Sequence, residues 1–81
     1  MAEKNITCEI VESIAVLSEN EKGYTKEINL VSWNGAEPKL DIRNWYPGRE
    51  RSGKGITLTK DEARVLVKAM NEMLMNVVEV E

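Results

Sequence analysis

Trp33 and Trp45 stand near one another in the chain with Lys39 and Arg43 between them, and Arg49, Arg51 and Lys54 follow. Flat rings interleaved with cations can stack bases and neutralise phosphates, because every nucleobase has a π face and every backbone linkage a negative charge. The competing reading is that both tryptophans pack under loops or in a subunit interface and that the cations are ordinary solvated charge. Catalysis has less to work with. The chain has no histidine and a single cysteine, Cys8, so serine–histidine and cysteine–histidine nucleophiles and a cysteine-only metal cage cannot be assembled within it. The remaining carboxylates form no recognisable constellation, and the expectation is a non-enzyme with no metal and no cofactor. Gly53-Lys54-Gly55 lacks the preceding strand, following helix and full spacing of a phosphate-cradling loop. Gly55 is better read as relieving crowding and Lys54 as an isolated phosphate contact. Asp41, between Lys39 and Arg43, reads as an ion-pair partner that orients the arginine.

A net charge of −3 argues against a nucleic-acid binder until it is divided along the chain. Residues 1–21 carry a net of −4 and residues 61–81 a net of −3, whereas residues 22–60 carry +4. At physiological salt a charge is felt over only about 8 Å, so an acidic protein can still present a basic surface.

The elements that must position these side chains follow from periodicity. With 81 residues, the expectation is one domain over 1–81, which buries only about 60 to 65 % of its unfolded surface and gains from a partner subunit. The 42 % hydrophobic and 31 % charged composition is that of a globular chain. No apolar run reaches the roughly 18 residues of a membrane span, and no signal-peptide core follows the first residues, so a cytoplasmic protein without membrane contact is expected.

Ile6, Cys8, Ile10, Ile14 and Val16 alternate, predicting a first strand over about 6–18 with Cys8 as a buried thiol. Asn20 to Gly23 reads as a turn, and a second strand covers about 24–33. Asn34-Gly35 marks a hairpin into a third strand over 39–45. Pro47-Gly48 ends it, Arg49 to Lys54 reads as a polar loop, and a short fourth strand covers 55–58. Thr59 with Glu62 three residues on is a capping box for a helix over about 60–77. Ala63, Leu66, Val67, Met70, Met73, Leu74 and Val77 form one apolar stripe on that helix. The even side of the sheet, Ile28, Leu30, Leu40, Ile42, Ile56 and Leu58, offers it a surface. The fold class is therefore α+β, a four-stranded antiparallel sheet with a C-terminal helix packed on one face. The odd side, Asn29, Val31, Trp33, Lys39, Asp41, Arg43, Trp45 and Thr57, is then expected to be open.

Three blocks carry a resemblance: Trp33-Asn34-Gly35, the run Lys39-Leu40-Asp41-Ile42-Arg43-Asn44-Trp45-Tyr46, and Gly53-Lys54-Gly55-Ile56-Thr57-Leu58-Thr59 before a helix. Over roughly residues 24–75 the chain resembles the C-terminal domain of the transcriptional coactivator positive cofactor four, and most of all its compact bacterial, YdbC-like branch. The resemblance implies a homodimer that binds single-stranded DNA with little sequence preference, with RNA left open as a second partner. It implies Lys26, Trp33, Lys39, Arg43, Lys54 and an aromatic at Trp45 or Tyr46 as binding residues, to which the loop cations Arg49 and Arg51 are added. Strand parity favours Trp45 as the stacking ring, while the resemblance leaves Tyr46 in play. Lys26 shares the parity of Ile28 and reaches the open face only through a bulge. Leu66, Met70, Met73, Leu74 and Val77 are the candidate subunit contacts. A protein-interaction module using the aromatic face is the alternative from another class.

Overall fold

The computed structural model describes residues 7–77. Four strands, β1 (Cys8–Glu19), β2 (Thr25–Trp33), β3 (Lys39–Trp45) and β4 (Ser52–Leu58), are followed by the helix α1 (Lys60–Val77). The strands form one antiparallel sheet in chain order, β1-β2-β3-β4. Ile6, at the start of the expected first strand, lies outside the described residues, as does the side chain of Val77.

Local chemistry makes each connection. Asn20 Oδ1 accepts from the Lys22 and Tyr24 amides at 2.9 and 3.0 Å, and Gly23 takes φ +94° to close the β1–β2 turn. Asn34 and Gly35 both have positive φ, 53° and 77°, the geometry that matches a tight hairpin to strand twist. Asn34 also exchanges two hydrogen bonds with Thr7, through its amide at 2.7 Å and its Oδ1 at 2.9 Å, which pins the chain entering β1. At α1 the capping box is formed: Thr59 Oγ1 accepts from the Glu62 amide at 3.1 Å, and Glu62 Oε1 accepts from the Thr59 amide at 2.8 Å. The segment expected as a loop is more ordered. A single 3-10 turn, Pro47–Arg49, leads to β4, which starts at Ser52 because the β3 ladder continues past Arg43–Gly55 through an irregularity to Trp45–Ser52.

The register sorts side chains into rows. Leu30, Leu40 and Leu58 are cross-strand partners on the even side, and Ile28, Ile42 and Ile56 form the next row. This aliphatic grid is only half-buried, with Ile56 exposed. The odd side, expected to be open, is the buried one: Val31 is fully inaccessible and Trp45 is 3 % exposed, with Asn29, Asp41 and Glu27 buried among them. Polar side chains bring this about, since Arg43 and Arg49 fold back over the odd face to reach carboxylates that lie on it. The grid lacks such a cover within one chain, where α1 touches β3 and β4 only sparsely. Ala63 and Leu66 near the helix start are half-buried, whereas Val67, Met70, Met73 and Leu74 remain open, Met73 at 56 %. Cys8 is exposed rather than buried, because β1 is an edge strand whose residues are almost all open within one chain. No helix among the described residues is long and apolar enough to cross a membrane.

Candidate nucleic-acid interface

The odd face is organised by two arginines. Arg43 donates to both Asp41 carboxylate oxygens at 2.8 and 2.7 Å, and its Nη1 donates to the Gly53 carbonyl at 3.0 Å. Asp41 is wholly inaccessible, so breaking this pair by removing one partner costs about 3–5 kcal/mol. The guanidinium lies 4.6 Å from the centroid of the Trp33 ring, a cation–π contact. The glycines of β4 make the bay for it. A Cβ on Gly55 would overlap the Ile42 carbonyl and the Arg43 Cβ, and one on Gly53 would sit 3.1 Å from the Asn44 carbonyl. Asp41 thus orients Arg43, and Arg43 covers a half-buried Trp33.

Arg49 does something different from holding phosphate. Its backbone takes φ +59°, and its side chain crosses to Glu27, with Nε at 3.0 Å and Nη2 at 2.8 Å from Oε1. Glu27 also accepts from the Thr25 hydroxyl at 2.7 Å and from Asn29 Nδ2 at 3.0 Å. Burial by itself would push its pKa up, but the hydrogen bonds from Asn29, Thr25 and Arg49 and the Arg49 charge outweigh this and hold it below the usual carboxylate value of 4.5. A depressed folded pKa contributes stability that is complete above the unfolded value and is lost as pH falls through the folded one. The urea midpoint should therefore drop on acidification below about pH 4.5, and Glu27→Gln should remove Glu27's share of that drop. An identical acid limb in parent and variant would mean that Glu27 carries none of it.

At the same end of the sheet a second ring–cation pair is built from loop residues. Arg51 stacks 4.3 Å from the centroid of Tyr46, and Tyr46 packs on Tyr24 with centroids 5.0 Å apart at 55°. Tyr46 is half-buried and Tyr24 is exposed, so these rings keep area open to a ligand. Trp45, favoured by parity as the stacking ring, offers no such area because it is core. Lys26 stays on the aliphatic side: the β2–β3 register runs without interruption from Thr25 to Val31, and no bulge turns it over. Lys39 and Lys54 are exposed, and like Lys26 and Arg51 they enter no ion pair among the described residues.

The expected binding residues therefore fall into three groups. Trp33 and Arg43 share the odd face, Tyr46 and Arg51 form the loop pair, and Lys26, Lys39 and Lys54 are unpaired cations around the sheet. Arg49 serves as a clamp and Trp45 as core. Tyr24 and Glu27 were missed. Parity put Glu27 beside Asn29 and Val31, and a carboxylate on a face that buries its neighbours needs a cation, which was the available signal. Tyr24 had only its place after the Gly23 turn.

The family model described as Transcriptional Coactivator p15 (PC4) matches residues 20–69, from the β1–β2 turn into α1. An uncharacterized protein of Treponema pallidum (strain Nichols) is 37 % identical over 68 residues, which cover 84 % of this chain and 80 % of that one. The matched span holds both ring–cation pairs, the Asp41–Arg43 ion pair and the Gly53-Lys54-Gly55 bay, and the chain belongs to the transcriptional coactivator p15 (PC4) family.

Proposed function

We propose that the protein is a non-catalytic single-stranded DNA-binding protein that stacks bases on Trp33 and Tyr46 and holds phosphates with Lys26, Lys39, Arg51 and Lys54. The observation that carries this is the pairing of each half-buried ring with a guanidinium, Trp33 with Arg43 and Tyr46 with Arg51. A planar cation beside an aromatic face extends the platform on which a base can stack and places charge next to its phosphate. Single-stranded DNA binding is the property of the family to which the chain belongs. We read its role as one on melted or exposed strands in transcription regulation, replication or repair in the cytoplasm, with single-stranded RNA as a second substrate.

The working unit in this reading is a homodimer. One chain leaves the aliphatic grid only half-buried and the Met70, Met73 and Leu74 stripe of α1 open, and each is the kind of surface that would cover the other in a second copy.

Titration with a homopyrimidine strand, read by intrinsic tryptophan fluorescence, tests the function. Single strands should bind more tightly than the same sequence as duplex, and log affinity should fall with log salt by about 0.7 per phosphate neutralised. Equal affinity for the two forms would reduce the site to a plain electrostatic surface. Absence of single-strand binding, with capture of a protein partner that is insensitive to salt, would favour an interaction module instead.

A further inference from the structure

Beyond the Leu row and the Ile row, the aliphatic face carries a third cross-strand row of another kind. Ser18 of β1 pairs with Lys26 of β2, and Lys26 pairs with Asn44 of β3. Lys54 of β4 joins them in a recess of about 210 Å³ that Lys26 and Asn44 also line, floored by Ile42 and Ile56. A second recess, of about 290 Å³, lies on the other side of the same pair, lined by Lys26 and Asn44 with Ser18 and Tyr24. The Lys26–Asn44 pair thus separates two hollows, each smaller than a typical drug-sized pocket and suited to one small planar group.

Asn44 is out of place on structural grounds. Asparagine is a poor strand former, and one placed inside a strand for stability would use its amide to satisfy a neighbour. The Asn44 side chain is exposed and makes no hydrogen bond among the described residues. It lies between two lysines that are themselves without ion pairs among those residues. An amide presents a donor and an acceptor side by side, the pattern that meets the edge of an unpaired base, whereas a phosphate asks only for donors or positive charge.

We propose that Asn44 is a base-reading residue. Resting on the single-strand reading above, the strand crosses this end of the sheet with its phosphates on Lys26 and Lys54. A base in the larger recess packs against Tyr24, and its edge meets the Asn44 amide. Because Tyr24 contacts Tyr46, this position is continuous with the Tyr46–Arg51 platform. The same end of the molecule then supplies both stacking and hydrogen bonding.

Fluorescence anisotropy with two labelled strands of equal length, an oligothymidylate and an abasic sugar–phosphate strand, isolates this role. Asn44→Ala and Asn44→Thr should each weaken the base-bearing strand by about three- to tenfold, the loss of a neutral hydrogen bond. Both should leave the abasic affinity and the salt slope at the parent's values. Threonine is the stronger strand former, so it covers the case in which alanine loosens the sheet. Equal weakening on both strands, or none on either, overturns the proposal. If the parent binds the base-bearing strand and Tyr46→Ala weakens it while the Asn44 variants do not, the base-reading role falls and the single-strand reading stands. If the parent binds neither strand, both fall together.

Discussion

Trp45→Ala should lose most of the protein's stability, whereas its neighbour Tyr46→Ala should stay folded and lose about 1–3 kcal/mol of single-strand affinity. The two rings are adjacent in sequence and opposite in role. Trp45 is 3 % exposed and belongs to the odd-face core, so its removal opens a cavity that costs about 3–5 kcal/mol. A domain of 81 residues has a total stability near the low end of the usual range of about 5–15 kcal/mol, so that loss consumes most of it. Tyr46 lies in the connection after β3, stacks under Arg51, and stays partly open. Urea denaturation followed by circular dichroism reads the first effect, and strand titration of the folded variant reads the second. A well-folded Trp45→Ala protein that has lost only binding would show that its ring serves the ligand.

The second large effect concerns mass. Light scattering at micromolar concentration should return about twice the 9.2 kDa of one chain for the parent, and one chain's mass for Met73→Asp. Met73 is 56 % exposed within a single chain, so an aspartate there costs a lone monomer almost nothing. Only if a second copy covers the stripe does the substitution bury an unpaired charge. A parent that stays monomeric and stable across that range would remove the partner-subunit argument.

The connections of the fold were readable because each is decided by a few adjacent residues: Gly23 and Asn34-Gly35 supply positive φ, and Thr59 with Glu62 closes the helix cap. The side of the sheet that is buried was not readable in this way. Parity separates Ile28, Leu30, Leu40 and Ile42 from Asn29, Val31, Asp41 and Trp45, but it does not say which set is covered. Aliphatic residues normally win that contest. Here the polar set is buried because Asp41 and Glu27 each find an arginine, and the Glu27–Arg49 contact spans 22 residues of chain. Periodicity also stops at the end of a strand, so it extended the open face to Trp45 and left Tyr46 to the resemblance. That Lys39 and Lys54 enter no ion pair among the described residues is visible only in the fold, and the face that carries Lys26 depended on whether a bulge was present.

The three register shifts in β1, between Ile10 and Glu12, Ser13 and Ala15, and Val16 and Ser18, have a bearing on solubility. A twelve-residue edge strand with Val11, Ile14, Val16 and Leu17 exposed would ordinarily template the addition of further strands. Each shift leaves a residue unpaired and bends the strand, so its outer row of amides and carbonyls is never straight for long. The opposite edge is blunted in another manner, since β4 begins Ser52-Gly53-Lys54-Gly55, with weak strand formers and an exposed charge. Neither border of the sheet offers a flat ladder, which steers chains that meet at high concentration toward contacts between side-chain faces and away from open-ended stacking into fibrils.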